Sequence, residues 1–210
     1  MHTHLLIPVF VGSVLSLAAY AWAGSPTEQL RSYTDHVLKV LENPALTVPE
    51  RRTSVQKIAG EVFDVSETGK RALGTHWAKR TTAEREEFVK LFAGLLEQTY
   101  ISRIGEYGGE QITYVGEQID GERAIVRARI TTKKGSEVPV ESRLLQKDHR
   151  WLIYDVLVEN ISLIASYRSQ FDRIIRTASY EDLVKRLRNQ SELRNEKEAD
   201  AQRTRMPAGR

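Results

Sequence analysis

The sequence predicts an α+β fold, on three observations. From Ser25 to about residue 105, apolar residues recur at three- and four-residue steps behind capping boxes. Residues 112–159 then alternate apolar and polar around tight turns, the pattern of an antiparallel meander. After Asn160 the helical period returns. Helices, then a meander, then helices is the order of an α+β domain, and 210 residues with 40% hydrophobic content suffice for one sizeable core.

Ser25-Pro26-Thr27-Glu28 is a capping box with proline at the first helical position, and Leu30, Tyr33, Val37, Leu38 and Leu41 form the stripe behind it until Asn43-Pro44. A second helix is expected over residues 47–62 with Val55, Ile58, Ala59 and Val62 inward, and a short third over 66–73, stopped by Gly74. Thr81-Thr82-Ala83-Glu84 opens the longest run, with Phe88, Leu91, Phe92, Leu95, Leu96, Thr99 and Ile104 on one face, and Gly108-Gly109 breaks it.

Four strands follow, over 112–118, 123–132, 138–146 and 151–159, joined at Asp120-Gly121, Lys134-Gly135 and Asp148-His149. In the second and third, Ala124, Val126, Ala128, Ile130, Val138, Val140, Ser142 and Leu144 face one way against Arg127, Arg129, Glu141 and Arg143, so one face is dry and one wet. In the fourth, parity assigns Leu152, Tyr154, Val156 and Val158 to the dry face and Asp155 to the other, held by a backbone amide or an arginine. Leu163, Ile164, Tyr167, Phe171, Ile174 and Ile175 form the next helical stripe, and Ser179 with Asp182 starts a last helix through Leu183, Val184 and Leu187. From about Gln190 apolar residues nearly vanish. Residues 191–210 therefore read as a charged, solvated helical extension fraying into a disordered tail, with a partner-binding tail as the alternative.

The amino terminus is of a different kind. Leu5 to Ala19 is an apolar run followed by Ala21-Trp22-Ala23, a small-x-small cleavage pattern, so residues 1–23 read as a signal peptide and the mature domain as residues 24–190. The leading segment holds His2 and His4 but no Lys or Arg, which leaves an uncleaved anchor as the alternative. There is no cysteine, which excludes disulfides, thiol catalysis and thiolate metal sites. The formal charge of +3 is spread among nearly as many acids as bases, a solvated surface rather than a nucleic-acid footprint.

Catalytic motifs are missing. No GxxxxGK[ST], GxGxxG or GxSxG segment occurs, and His36, His76 and His149 lack metal-site spacing. Ser162, His149 and Asp155 could be named as a triad only by disregarding that a strand aspartate beside a turn histidine is commonplace.

Two blocks carry a resemblance. Trp151, Tyr154-Asp155-Val156, Glu159, Ile161-Ser162-Leu163, Tyr167-Arg168 and Gln170-Phe171 form one. Leu73-Gly74 with Trp77, Phe88, Phe92, Leu95-Leu96 and Thr99-Tyr100 form the other. In this order they resemble the MlaC (toluene-tolerance) family of periplasmic proteins that ferry phospholipid between the two membranes of a Gram-negative envelope. Asn160 stands where that family usually has glycine, and asparagine is the side chain that best tolerates a left-handed turn. The resemblance spans roughly residues 26 to 190. It implies an NTF2-like cone around an apolar pocket, a diacyl phospholipid as ligand, and an inner-membrane lipid ABC transporter complex and an outer-membrane lipoprotein complex as partners, with no catalytic residue, cofactor or metal. Cones of this type also host enzymes with a carboxylate base, which keeps open the reading of Asp155 as a base in the pocket. A purely structural protein with a filled core is the third reading.

The pocket expected on this reading is lined from three sides. The dry face contributes Val126, Ala128, Ile130, Val140, Ser142, Leu144, Tyr154, Val156 and Val158. The middle helix region contributes Trp77, Phe88, Phe92, Leu96, Tyr100 and Ile104, and the helix after the meander Ile164, Tyr167 and Phe171. At helical spacing such aromatic residues serve equally as core. Ala128 and Ser142 are small where a solid core uses Val, Ile or Leu, and so leave depth for a ligand.

Overall fold

The computed structural model describes residues 24–205, and the side chains of all of these except residues 103–105 and 194–205. The expected signal peptide, residues 1–23, lies outside the described residues, as do residues 206–210.

Each capping box starts a helix. Ser25 Oγ accepts from the Glu28 amide at 3.2 Å while the Glu28 carboxylate accepts from the Ser25 amide at 2.9 Å, opening α1 (Pro26–Glu42). Thr47 with Glu50 and Thr81 with Glu84 open α2 (Val48–Val62) and α4 (Thr82–Tyr100) in the same way. Between them α3 (Val65–Leu73) is capped by Asp64 and ends at Gly74, whose φ of +57° suits a residue without Cβ. The α-helical geometry stops at Tyr100, short of the expected Ile104. A 3-10 segment, Ile101–Glu106, follows.

The meander has five strands rather than the expected four. β1 (Gln111–Asp120), β2 (Arg123–Thr131), β3 (Glu137–Lys147), β4 (Arg150–Val158) and a two-residue β5 (Ile161–Ser162) pair antiparallel in the order β1-β2-β3-β4-β5. Asp148 and His149 at φ of +47° and +60°, and Glu159 and Asn160 at +50° and +65°, form two-residue hairpins with both residues left-handed, which matches the strand twist. The asparagine at position 160 thus sits where a left-handed backbone is required.

One bulge changes which residues share a face. Leu144 pairs with Ile153 but Arg143 pairs with Asp155, so Tyr154 is the extra residue. The dry face of β4 is therefore Trp151 and Ile153 before the bulge and Val156 and Val158 after it. This corrects the placement of Leu152 and Tyr154 on that face. Simple alternation fails there because a bulge shifts parity by one.

Helices lie on both sides of the sheet. α1 and α2 pack on the dry face, where Leu30, Tyr33 and Val62 meet Ala124, Val126, Leu144, Trp151 and Ile153. The Gln29 amide fastens α1 to β4, donating to the Trp151 carbonyl at 2.7 Å and accepting from its amide at 3.0 Å. After α2 the chain passes the β4 edge at Phe63, which bridges to Ile153, and Asp64 donates its amide to the Ile153 carbonyl at 2.8 Å. α3, α4, α5 (Leu163–Thr177) and α6 (Tyr180–Arg205) then share a core of their own. α6 continues through the expected helical extension to Arg205, and the rest of the expected tail lies outside the described residues. Its Glu, Lys, Arg, Gln and Ala residues are strong helix formers even with nothing to bury.

Candidate functional site

The helical core is closed. Phe88, Phe92 and Phe171 are 0%, 1% and 4% exposed and interlock with Tyr167 at ring-centroid distances of 5.1 to 5.8 Å. Ala72, Leu73, Ile164, Tyr180, Leu183, Val184 and Leu187 complete the cluster, with Leu96 and Trp77 packed against it. Of the residues expected to wall a pocket, Phe88, Phe92, Ile164 and Phe171 thus lie inside this helical core, with Leu96 and Tyr167 half-buried against it. α4 turns its stripe toward α6. Trp77 lines a hollow of about 460 Å³ on the other side of α4, with Val65, Val89 and Ala93, and the Arg85 guanidinium lies 5.3 Å over its ring.

The dry face of the sheet is closed over only half its length. Toward the β1–β2 and β3–β4 turns it is filled, with Leu144 at 0% and Val126 at 1% exposure, which places these two expected lining residues in the sheet-side core. Toward the β2–β3 hairpin the same face continues with Ala128, Ile130, Val138, Val140, Ser142 and Val156, all half-buried, and with Val158, 46% exposed. The register makes them one contiguous surface. Val126 faces Ser142, Ala128 faces Val140, Ile130 faces Val138, Ser142 faces Val156, Val140 faces Val158, and Ile112 of β1 extends the patch beside Ile130. Of the residues expected to line a pocket, Ala128, Ile130, Val140, Ser142, Val156 and Val158 thus lie side by side on one aliphatic surface. Ile112 and Val138 belong with them, and both were readable from the alternation. Tyr100 is 49% exposed at the end of α4, and the side chain of Ile104 lies outside the described residues.

At the closed end of this surface the Arg31 guanidinium lies 4.8 Å over the Tyr114 ring. Asp155 is buried on the opposite face, where its carboxylate accepts from Ser162 Oγ at 2.7 Å and the Ile164 amide at 3.1 Å, with Arg143 Nη1 at 3.9 Å. Ser162 Oγ in turn accepts from the Ala165 amide at 2.9 Å, so the group is the N-terminal cap of α5. His149 lies at the far end of β4, roughly 20 Å away at 3.3 Å per residue, and no triad forms. Tyr154 turns toward α3, where the Arg71 guanidinium lies 4.0 Å over its ring and its carbonyl accepts from Thr68 Oγ1 at 3.3 Å. At the same closed end Tyr114 shares a hydrogen bond with Thr34 Oγ1 at 2.7 Å, and burial pushes its phenol above the usual range.

The geometry defines an α+β domain with a half-buried aliphatic surface on one face of an antiparallel sheet. The family profile described as MlaC protein matches residues 31–189, and the chain belongs to the MlaC family. Among its relatives, the toluene tolerance protein ttg2D of Pseudomonas putida is 28% identical over 120 residues, 56% of each chain. The intermembrane phospholipid transport system binding protein MlaC of Haemophilus influenzae is 21% identical over 141 residues, 65% of this chain and 66% of that one. The match thus spans just over half to just under two thirds of these relatives' lengths. The phospholipid-binding protein of Ralstonia solanacearum, solved in complex with a phospholipid, shares the fold at a TM-score of 0.70 and 20% identity, covering 79% of this chain and 96% of that one.

Proposed function

We propose that this protein is a periplasmic phospholipid carrier, exported by residues 1–23 and matured near Gly24. It takes lipid to or from an inner-membrane lipid ABC transporter complex and an outer-membrane lipoprotein complex. The observation that carries the reading is the half of the dry sheet face outside the buried core, six half-buried small and aliphatic residues in register with Val158 at their edge. A folded protein keeps a contiguous aliphatic surface of this kind when something apolar occupies it. Moving a diacyl lipid through water requires such a surface, because two chains of about 16 carbons at about 0.8 kcal/mol per CH₂ amount to some 25 kcal/mol of exposure. The relatives' names point to the same ligand.

The make-up of this surface supports binding rather than turnover. Ser142 is the polar side chain among the six, while Asp155 is engaged in capping α5 on the other face. The test is extraction of the natively purified protein with organic solvent, followed by mass spectrometry. About one diacyl phospholipid per chain is expected. A protein that is lipid-free as isolated and takes up none from phospholipid vesicles would refute the carrier reading.

A further inference from the structure

The linker from α4 to β1 runs past the β2–β3 hairpin end of the half-buried aliphatic face, where Lys133 lies against Gly108. α4 belongs to the bundle on the β4 side, whereas β1 is the opposite edge of the sheet, and residues 101–110 pass α2 and the end of α1 on the way. The first part is 3-10 helix, which makes poorer hydrogen bonds than α-helix and serves as a connector or hinge. The second part contains Gly108-Gly109. Gly109 has φ of +90° with nothing within 4 Å of where a Cβ would stand, so glycine is needed there for its backbone freedom and not for space.

Two polar fastenings hold this segment down. The Tyr107 hydroxyl donates to Glu42 Oε1 at 3.4 Å, tying it to the end of α1. Lys133, in the β2–β3 hairpin, lays its stem across Gly108, where a Cβ would stand 2.7 Å from Lys133 Cε, and its ammonium draws on the Glu110 carboxylate. Glu110 also accepts from the Gly108 amide at 2.8 Å. These contacts are polar and near solvent, in contrast to the ring packing that fixes the helical core. A segment held this way opens at low cost.

We propose that residues 101–110 are a strap over the half-buried aliphatic face, hinged at Gly108-Gly109 and latched by Tyr107 on Glu42 and by Lys133 over Gly108, whose release lets lipid in and out. This rests on the carrier reading, and it assigns the strap to the rate of exchange and not to affinity. A wall that must open for each passage sets the exchange rate, as lids do in enzymes.

The absence of cysteine makes the test clean. Glu42→Cys and Tyr107→Cys are introduced together and joined by a bis-maleimide with a disulfide-containing spacer. Uptake of pyrene-labelled phosphatidylcholine from dioleoylphosphatidylcholine vesicles, and its return, are then timed. Linked protein should exchange about tenfold more slowly or worse, and cutting the spacer with reductant should restore the rate. Exchange at the unlinked rate while linked, or no recovery after cutting, overturns the strap. Failure of the unmodified parent to take up labelled lipid is a different result, which overturns the carrier reading and the strap with it. Hydrogen exchange on the parent gives a second check free of mutation. Amides of 101–110 should exchange faster than those of α4 and slow when lipid is loaded, and equal protection in the two segments contradicts the proposal.

Discussion

The helical core and the dry sheet face are built from similar apolar residues, yet one is sealed and the other half open. In the first, α6 supplies Tyr180, Leu183, Val184 and Leu187 on the side of α4 left free by α3 and α5. In the second, Leu30, Tyr33 and Val62 of α1 and α2 pack on the face as far as Val126, with Val156 beside them, and the residues beyond are half-buried or exposed. The difference lies in the number of covering elements rather than in composition. The core also fixes the sheet, since α5 starts on the Asp155 carboxylate and α3 meets β4 at Tyr154. The helical bundle is thereby fastened to β4 of the sheet.

If the core is sealed, truncating it should be costly. Phe92→Ala removes a ring that touches Phe88, Tyr167 and Phe171, and a loss of about 3 to 5 kcal/mol is expected in urea unfolding. A loss below 1 kcal/mol would mean that the rings border a void and that the contrast between the regions is wrong. Asp155→Asn should cost about 1 to 3 kcal/mol, because a charge-assisted cap of α5 becomes a neutral one. Lipid content per folded chain should stay at the parent level. Loss of a catalytic turnover in a stable variant would instead revive the enzyme reading.

The smallest effect expected is at the rim of the core. The Tyr180 hydroxyl donates to the Glu84 carbonyl at 2.9 Å, so Tyr180→Phe should cost about 1 kcal/mol. Burial, with the Glu84 carboxylate next, pushes the phenol up to about 12. The folded-state value lies above the unfolded value near 10, so the contribution is complete below pH 10 and fades as the pH climbs through about 12. An alkaline absorbance titration should show fewer tyrosines ionising near pH 10 in the parent than after unfolding, with Tyr180, Tyr114 and Tyr107 among those that ionise late. Normal titration of all tyrosines would contradict this.

Much of the fold is legible because local chemistry marks it. Three capping boxes, Gly74, the turn pairs and the alternation of β2 and β3 identify their elements without reference to anything distant. The errors arise where a long-range event decides. The bulge at Tyr154 leaves no trace in an apolar strand, so Trp151 and Ile153 change faces with Leu152 and Tyr154. The partner of α4 is equally hidden. A stripe of Phe88 and Phe92 fits a sheet or a helix, and only the crossing at Phe63 sends α3 to α6 away from the dry face. Asp155 was legible in its role because an ionised carboxylate in a buried strand needs partners wherever it points.

The carrier account turns on whether the open half of the sheet face is space or core, and filling it tests this most directly. Ala128→Leu and Ser142→Leu, made separately, place new atoms beside Val140 and Val156. Melting temperature and co-purified phospholipid are then measured on the same preparations. The account predicts melting temperatures at or above the parent's, because contacts are added to empty space, together with loss of bound lipid. Destabilisation by about 1 to 3 kcal/mol, the signature of an overpacked core, with no phospholipid in parent or variant, would contradict it.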